Sequence, residues 1–181
     1  NQGVLQISNL GNLGNGGGGG LVLNGGTLRF GAAFDLSAIT VTLGLTSAVT
    51  NVTTTTGGTL DTGAFDITLS SAIGNNGNGG LSKIGTGSLT LNAPVAYTGI
   101  TSVNEGTLRY GVADALPASM NVSLGGGTLD TAGFTTSLNN LTVAGNSTIT
   151  ATAPLAITGN VLVDGAAART LTLNNTALTS F

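Results

Sequence analysis

The sequence predicts an all-β chain folded as a parallel β-solenoid of short rungs punctuated by Gly and Asn. Three observations carry the prediction. Apolar residues recur at i and i+2 with Thr or Ser between them. Helical apolar stripes are nearly absent. The same short units return along the chain. Leu21-Val22-Leu23, Val41-Thr42-Leu43, Ile67-Thr68-Leu69, Leu89-Thr90-Leu91, Val122-Ser123-Leu124, Leu141-Thr142-Val143 and Leu171-Thr172-Leu173 all follow the alternation. In a strand this puts an apolar row inside and a hydroxyl row outside. Gly, Asn and Asp break these segments every few residues, as turns with positive φ require. Thr, Ser, Asn and Gly are poor helix formers and fill much of the remainder.

Repetition selects the architecture. Gly25–Gly31 reads GGTLRFG and Glu105–Gly111 reads EGTLRYG. GGTLDTGAFDITL from Gly57 returns as GGTLDTAGFTTSL from Gly126. The order, an Arg-bearing unit followed by an Asp-bearing one, is the same both times. Residues 25–78 and 105–152 therefore read as diverged copies of a larger unit within one continuous segment spanning 1–181. A unit of roughly 20–30 residues cannot bury its own apolar face and must stack on its neighbours. A β-sandwich would want longer strands and regular hairpins, so the Asn-Gly pairs at Asn15-Gly16, Asn24-Gly25 and Asn78-Gly79 are read as turns between rungs. Leu28, Leu60, Leu89, Leu108, Leu129 and Leu171 are expected to stack in one continuous core of seven to nine rungs, spaced about 4.8 Å apart.

Composition bounds the function. Charged residues make up 6% and hydrophobic residues 40%, so a core forms from Leu, Val, Ile and Ala, and disorder is the weaker reading. The net charge is −3, and Arg29, Lys83, Arg109 and Arg169 are the whole basic complement. That is too few for nucleic acid or an anionic membrane surface. No apolar run reaches the roughly 20 residues of a membrane span. The start at Asn1-Gln2-Gly3 reads as a processed product or, preferably, a piece of something longer.

One segment carries a specific resemblance. Gly79–Leu108 reads GGLSKIGTGSLTLNAPVAYTGITSVNEGTL. Gly79-Gly80-Leu81, Lys83, Gly85-Thr86-Gly87, Leu89-Thr90-Leu91, Tyr97-Thr98-Gly99, Thr101, Val103 and Gly106-Thr107-Leu108 together resemble the autotransporter-associated β-strand repeat of bacterial passenger regions and very large surface proteins. Ala93-Pro94-Val95 and Ile100 stand where that family usually carries a Gly-Ala-Asn-like run and a second Gly. The resemblance implies a right-handed parallel β-helix, export across the inner and outer membranes and surface display; it does not imply an enzyme, and none is expected. No catalytic, cofactor or metal site is assigned.

The side chains are consistent with that expectation. There is no His and no Cys, which removes His-based triads, thiol nucleophiles and the usual zinc sites. The acidic residues are Asp35, Asp61, Asp66, Glu105, Asp114, Asp130 and Asp164. They are scattered and lack the calcium-binding nonapeptide pattern. A sugar-cleaving β-helix would need carboxylates and a base on one face, and Asp61, Asp130, Lys83 and Arg109 are the candidates. The plainer reading is that GTLD ends a strand and its Asp bonds the next turn. Gly16–Gly20 reads as a turn rather than a phosphate loop. The sequons at Asn51, Asn121, Asn140, Asn146 and Asn174 read as coincidence in an Asn- and Thr-rich chain. Sugar binding without catalysis would need an exposed aromatic platform drawn from Phe30, Phe34, Phe65, Tyr97, Tyr110, Phe134 and Phe181.

The expected function is a structural or adhesive rod segment of a secreted bacterial surface protein. The alternative is a carbohydrate-binding or polysaccharide-degrading β-helix. Neither end shows a polar cap, so the solenoid is expected either to continue in a longer chain or to stack end to end with other copies. Surface glycans are the other expected partner, and no cofactor is expected.

Overall fold

A computed structural model describes residues 3–13, 20–44, 57–74, 78–165, 167–177 and 179–180. Asn15-Gly16, most of the Gly16–Gly20 run, the Asn51 sequon and Phe181 lie outside the described residues. Within them are nineteen short strands, one 3-10 turn at Leu10–Leu13 and no α-helix. Every strand pairing is parallel. The strands stack as a β-solenoid of about seven turns, and each alternating segment named above falls within a strand.

Each full turn visits three faces. The first face is eight strands deep: Val4–Ile7, Thr27–Phe30, Gly58–Asp61, Leu81–Ile84, Thr101–Val103, Val122–Leu124, Leu141–Val143 and Val161–Val163, in that order. The second face stacks Ile67–Leu69, Ser88–Leu91, Thr107–Tyr110, Thr128–Asp130, Ser147–Ala151 and Leu171–Asn175. The third face has strands at Thr136–Leu138, Leu155–Ile157 and Thr179–Ser180, and a separate pair at Leu21–Leu23 and Val41–Leu43. Irregular backbone joins these two parts, since Gly74 N donates to Val41 O, Ala96 N to Ile73 O and Val95 N to Ala115 O.

The alternation does what period 2 dictates. On the first face the outward column runs Thr27, Thr59, Ser82, Ser102, Ser123 and Thr142, six hydroxyls in register. On the second face Ser88, Thr107, Thr128, Thr148 and Thr172 form another such column. The inward residues of all three faces meet in one core running from Ile7 to Ile157.

The leucine expectation needs one correction. Leu28, Leu60, Leu89, Leu108 and Leu129 are all fully buried in that core, but they form two columns. Leu28 and Leu60 pair on the first face, while Leu89, Leu108 and Leu129 stack on the second. Leu171 is only partly buried and lies in register with Ser147; Leu173 lies below Ile149 and is exposed. The reason is that three faces enclose a single interior, so inward residues of different faces share a core without sharing a column. The 3-10 turn, whose Leu10 and Leu13 pack against the core, had no helical signature in the sequence.

The repeated units also land on different faces. GTLRF and GTLD occupy the first face at 27–30 and 58–61, whereas GTLRY and TLD occupy the second at 107–110 and 128–130. Both copies keep the Arg strand beside the Asp strand. Both keep the corner that follows, in which Phe65 N donates to Thr62 O and Phe134 N to Thr131 O.

That corner contains a mismatch. Its left-handed position is Gly63 at φ 56° in one copy and Ala132 at φ 51° in the other. An L-residue there costs about 1–2 kcal/mol. The neighbouring Gly133 does not use its freedom, and a methyl on it would touch only Thr152 Oγ1 at 3.6 Å. The double exchange Ala132→Gly with Gly133→Ala should therefore stabilise the chain by about 1 kcal/mol. A urea midpoint for the double variant at or below that of the parent would refute this account of the corner.

Candidate functional site

The polar side chains concentrate where the first face turns into the second. Asp61 ends its strand there, is 5% exposed, and is held from two sides. Its Oδ1 accepts the Gly63 N–H at 2.8 Å and its Oδ2 accepts Arg29 Nε at 2.6 Å from the preceding rung. Burial pushes the Asp61 carboxyl up, but the Gly63 amide, Arg29 and Lys83 outweigh it and hold the group below the ordinary 3.8. Thr62 Oγ1 donates to the carbonyls of Ile84 and Gly87 in the following rung.

Lys83 is the least expected residue of the corner. Its side chain points inward between Leu60 above and Val103 below, and the residue is 0% exposed. The stem lies in the apolar interior, and Nζ donates to Ile84 O at 3.0 Å, Gly85 O at 2.7 Å and Glu105 O at 3.1 Å. Glu105 Oε2 accepts the Gly85 N–H. A Cβ on Gly106, which sits at φ 61°, would run into the carbonyl oxygens of Gly85 and Gly87 and would also lie 2.9 Å from Nζ, so only bare backbone fits there. Burial lowers the Lys83 pKa to about 8, against the opposing pull of Asp61 and Glu105.

The four candidates for carbohydrate chemistry do not converge. Asp61 and Lys83 belong to the first face, Arg109 and Asp130 to the second. Asp130 pairs with Arg109 at 3.4 Å, and its Oδ1 accepts the Ala132 N–H at 2.8 Å. Both Asp residues thus end a strand and bond the following turn, as the plainer reading of GTLD expects. A shallow depression of about 260 Å³ on the first face is floored by Thr59, Ser82 and Ser102 and edged by glycines and Ile100; it contains none of the four. Among the described residues the aromatic platform is not assembled either. Phe30, Tyr97 and Tyr110 are buried, Phe34 and Phe134 are partly buried against the core, and Phe65 is 38% exposed.

Two features escaped the sequence reading. One is the inward lysine, although parity carried the signal: Leu81 and Lys83 are two residues apart on one strand and so share a side. The other is an asparagine ladder before consecutive strands of the first face. Asn140 Nδ2 donates to Asn121 Oδ1 at 2.9 Å, and Asn160 N donates to Asn140 Oδ1 at 2.7 Å. Asn139 Nδ2 also donates to Asn121. Two of the sequons are therefore engaged in stacking. A third, Asn146, accepts the Thr170 N–H.

Residues 81–109 match the model of the passenger-associated-transport-repeat family, an autotransporter passenger repeat. The matched stretch holds Lys83, Glu105 and Gly106, the residues that build the corner. No curated protein and no solved structure matches the chain. A passenger repeat implies a secreted or cell-surface bacterial protein. Together with the solenoid, it suits a surface-exposed segment of an autotransporter passenger.

The buried titrating groups set an alkaline stability profile. Unfolded, Lys83 keeps its proton up to about 10.5, and folded it releases it near 8. Between these values the unfolded chain binds more protons, so stability rises with pH. Burial raises the Tyr97 and Tyr110 phenols above their ordinary 10.0. Above that pH the folded chain holds protons the unfolded chain has lost, and stability falls. Denaturant titrations from pH 7 to 11 should show a rise followed by a fall. Lys83→Met should remove the rising limb and keep the falling one. A rising limb of undiminished slope in Lys83→Met would rule out this assignment.

Proposed function

We propose that this chain is a structural or adhesive rod segment of a bacterial passenger, displayed outside the cell and without chemistry of its own. The observation that carries the reading is the pairing of a passenger repeat at 81–109 with a stack whose outward columns are hydroxyl-rich and nearly uncharged. Such a surface presents Thr and Ser at every rung, suited to hydrogen bonding with neutral glycans. Asp61 lies on the first face and Asp130 and Arg109 on the second, which counts against the polysaccharide-degrading alternative.

Extension end to end belongs to the same reading. Leu141 and Val143 are buried beneath the next strand, whereas Val161 and Val163, one rung on in the same columns, are 42% and 55% exposed. A further rung, from continuing chain or from another copy, would cover them as Val161–Val163 covers its neighbour.

Two measurements test the proposal. The purified chain should release no reducing ends from a panel of plant, fungal and bacterial polysaccharides; reproducible release from any of them would overturn the non-catalytic reading. In sedimentation at rising concentration, head-to-tail stacking predicts open-ended growth. A monomer at every concentration would eliminate stacking of copies and leave chain continuation as the route to a rod.

A further inference from the structure

The inward column of the first face reads Leu28, Leu60, Lys83, Val103, Leu124, Val143. One buried cation interrupts a run of aliphatic residues. A sequence built from near-identical units needs something to tell them apart. The GTLR and GTLD units sit on the first face in one copy and on the second in the other, so the local pattern of such a unit is compatible with either face. A slip of one residue turns the apolar row outward and is strongly rejected. A slip of two residues, or a shift by one face, keeps the apolar row inside and is rejected only weakly by burial.

We propose that Lys83 is the register key of this solenoid: the carbonyls of Ile84 and Gly85 on its own corner travel with it, but its bond to Glu105 O and its place between the carboxylates of Asp61 and Glu105 exist in one stacking of the rungs only, so that stacking is selected over its near-equivalents. Moved two residues along its strand, the lysine would occupy the place of Leu81, a buried position paired with Gly58 and Thr101. There it would lose Glu105 O and both flanking carboxylates, and a buried charge stripped of its counter-charges is among the most unfavourable groups a core can hold. The other cross-rung pairs discriminate less. Arg29 and Arg109 are about half exposed, at 48% and 54%, and stay solvated in a slipped stack. A single buried polar residue that sets register is an established device in coiled coils; here it stands inside a stack of parallel rungs.

The test uses the full 181-residue chain, unfolded in denaturant and refolded. Leu, Val and Ile methyl resonances count the stackings present. The parent should give one set. Lys83→Met keeps the stem and removes the ammonium, and should add a second set at about a tenth of the intensity or more. A Lys83→Met chain that loses stability but refolds to a single set would overturn the proposal, because the lysine would then support the fold without selecting it. If Lys83→Met does not fold, the parent is refolded at pH 6.5 and at pH 9.5, on either side of the lysine's value of about 8. The charged groups that face it are Asp61 above and Glu105 below, with Arg29 behind Asp61. A second set at pH 9.5 supports the register role, and one set at both pH values overturns it.

Discussion

No rung of this protein completes its own core or its own hydrogen bonding, and that constraint shapes everything else. Every named strand pairs with strands of neighbouring turns, and the buried leucines of each turn are covered by the other faces and by the turns above and below. Parallel stacking therefore places equivalent residues over one another, and any property of one rung becomes a column. An outward Thr becomes a hydroxyl column and an outward Asn at a corner becomes an amide ladder. The uncharged, hydrogen-bonding surface is a consequence of repeating a short alternating strand, with no separate binding element needed to make it.

The same constraint governs the charges. With so few of them, their placement is informative. Arg29 bonds Asp61 across one rung boundary, Arg109 meets Asp130 across another, and Lys83 links its own corner to that of Glu105. Surface pairs of this kind contribute little to stability. The buried lysine is different in kind, because it must be satisfied wherever it is placed. The stretch that matches a passenger repeat supplies the inward lysine, the carboxylate of Glu105 and the bare backbone of Gly106, and Asp61 of the preceding rung completes the corner.

The corners carry most of the conformational strain. Gly63 and Ala132 fill the same left-handed position in two copies of one unit, and one of them is an alanine with a glycine standing uselessly beside it. Divergence of the repeats has thus been tolerated locally, because the strands on either side hold the corner in place. The polar turn bond from the preceding Asp is kept in both copies, at 2.8 Å each, which indicates that the Asx bond rather than the glycine defines the turn.

The sequence by itself determined the strands, their inward and outward sides, the parallel stacking and the passenger repeat. The first three follow from local rules: period-2 alternation, Gly and Asn punctuation, and a unit too small to bury itself; the passenger repeat follows from the motif at 81–109. Even the inward lysine was legible through its parity with Leu81. Tertiary structure alone decided which face each unit occupies. Three faces around one interior make the same demand on a strand, so GTLR at Thr27 and GTLR at Thr107 are indistinguishable locally and lie on different sides of the solenoid. For that reason Asp61 and Asp130, twins in sequence, never meet, and Leu28 and Leu108 share a core without sharing a column. The asparagine ladder and the bond from Lys83 to the Glu105 carbonyl depend on what lies one turn away, and no local pattern records that distance.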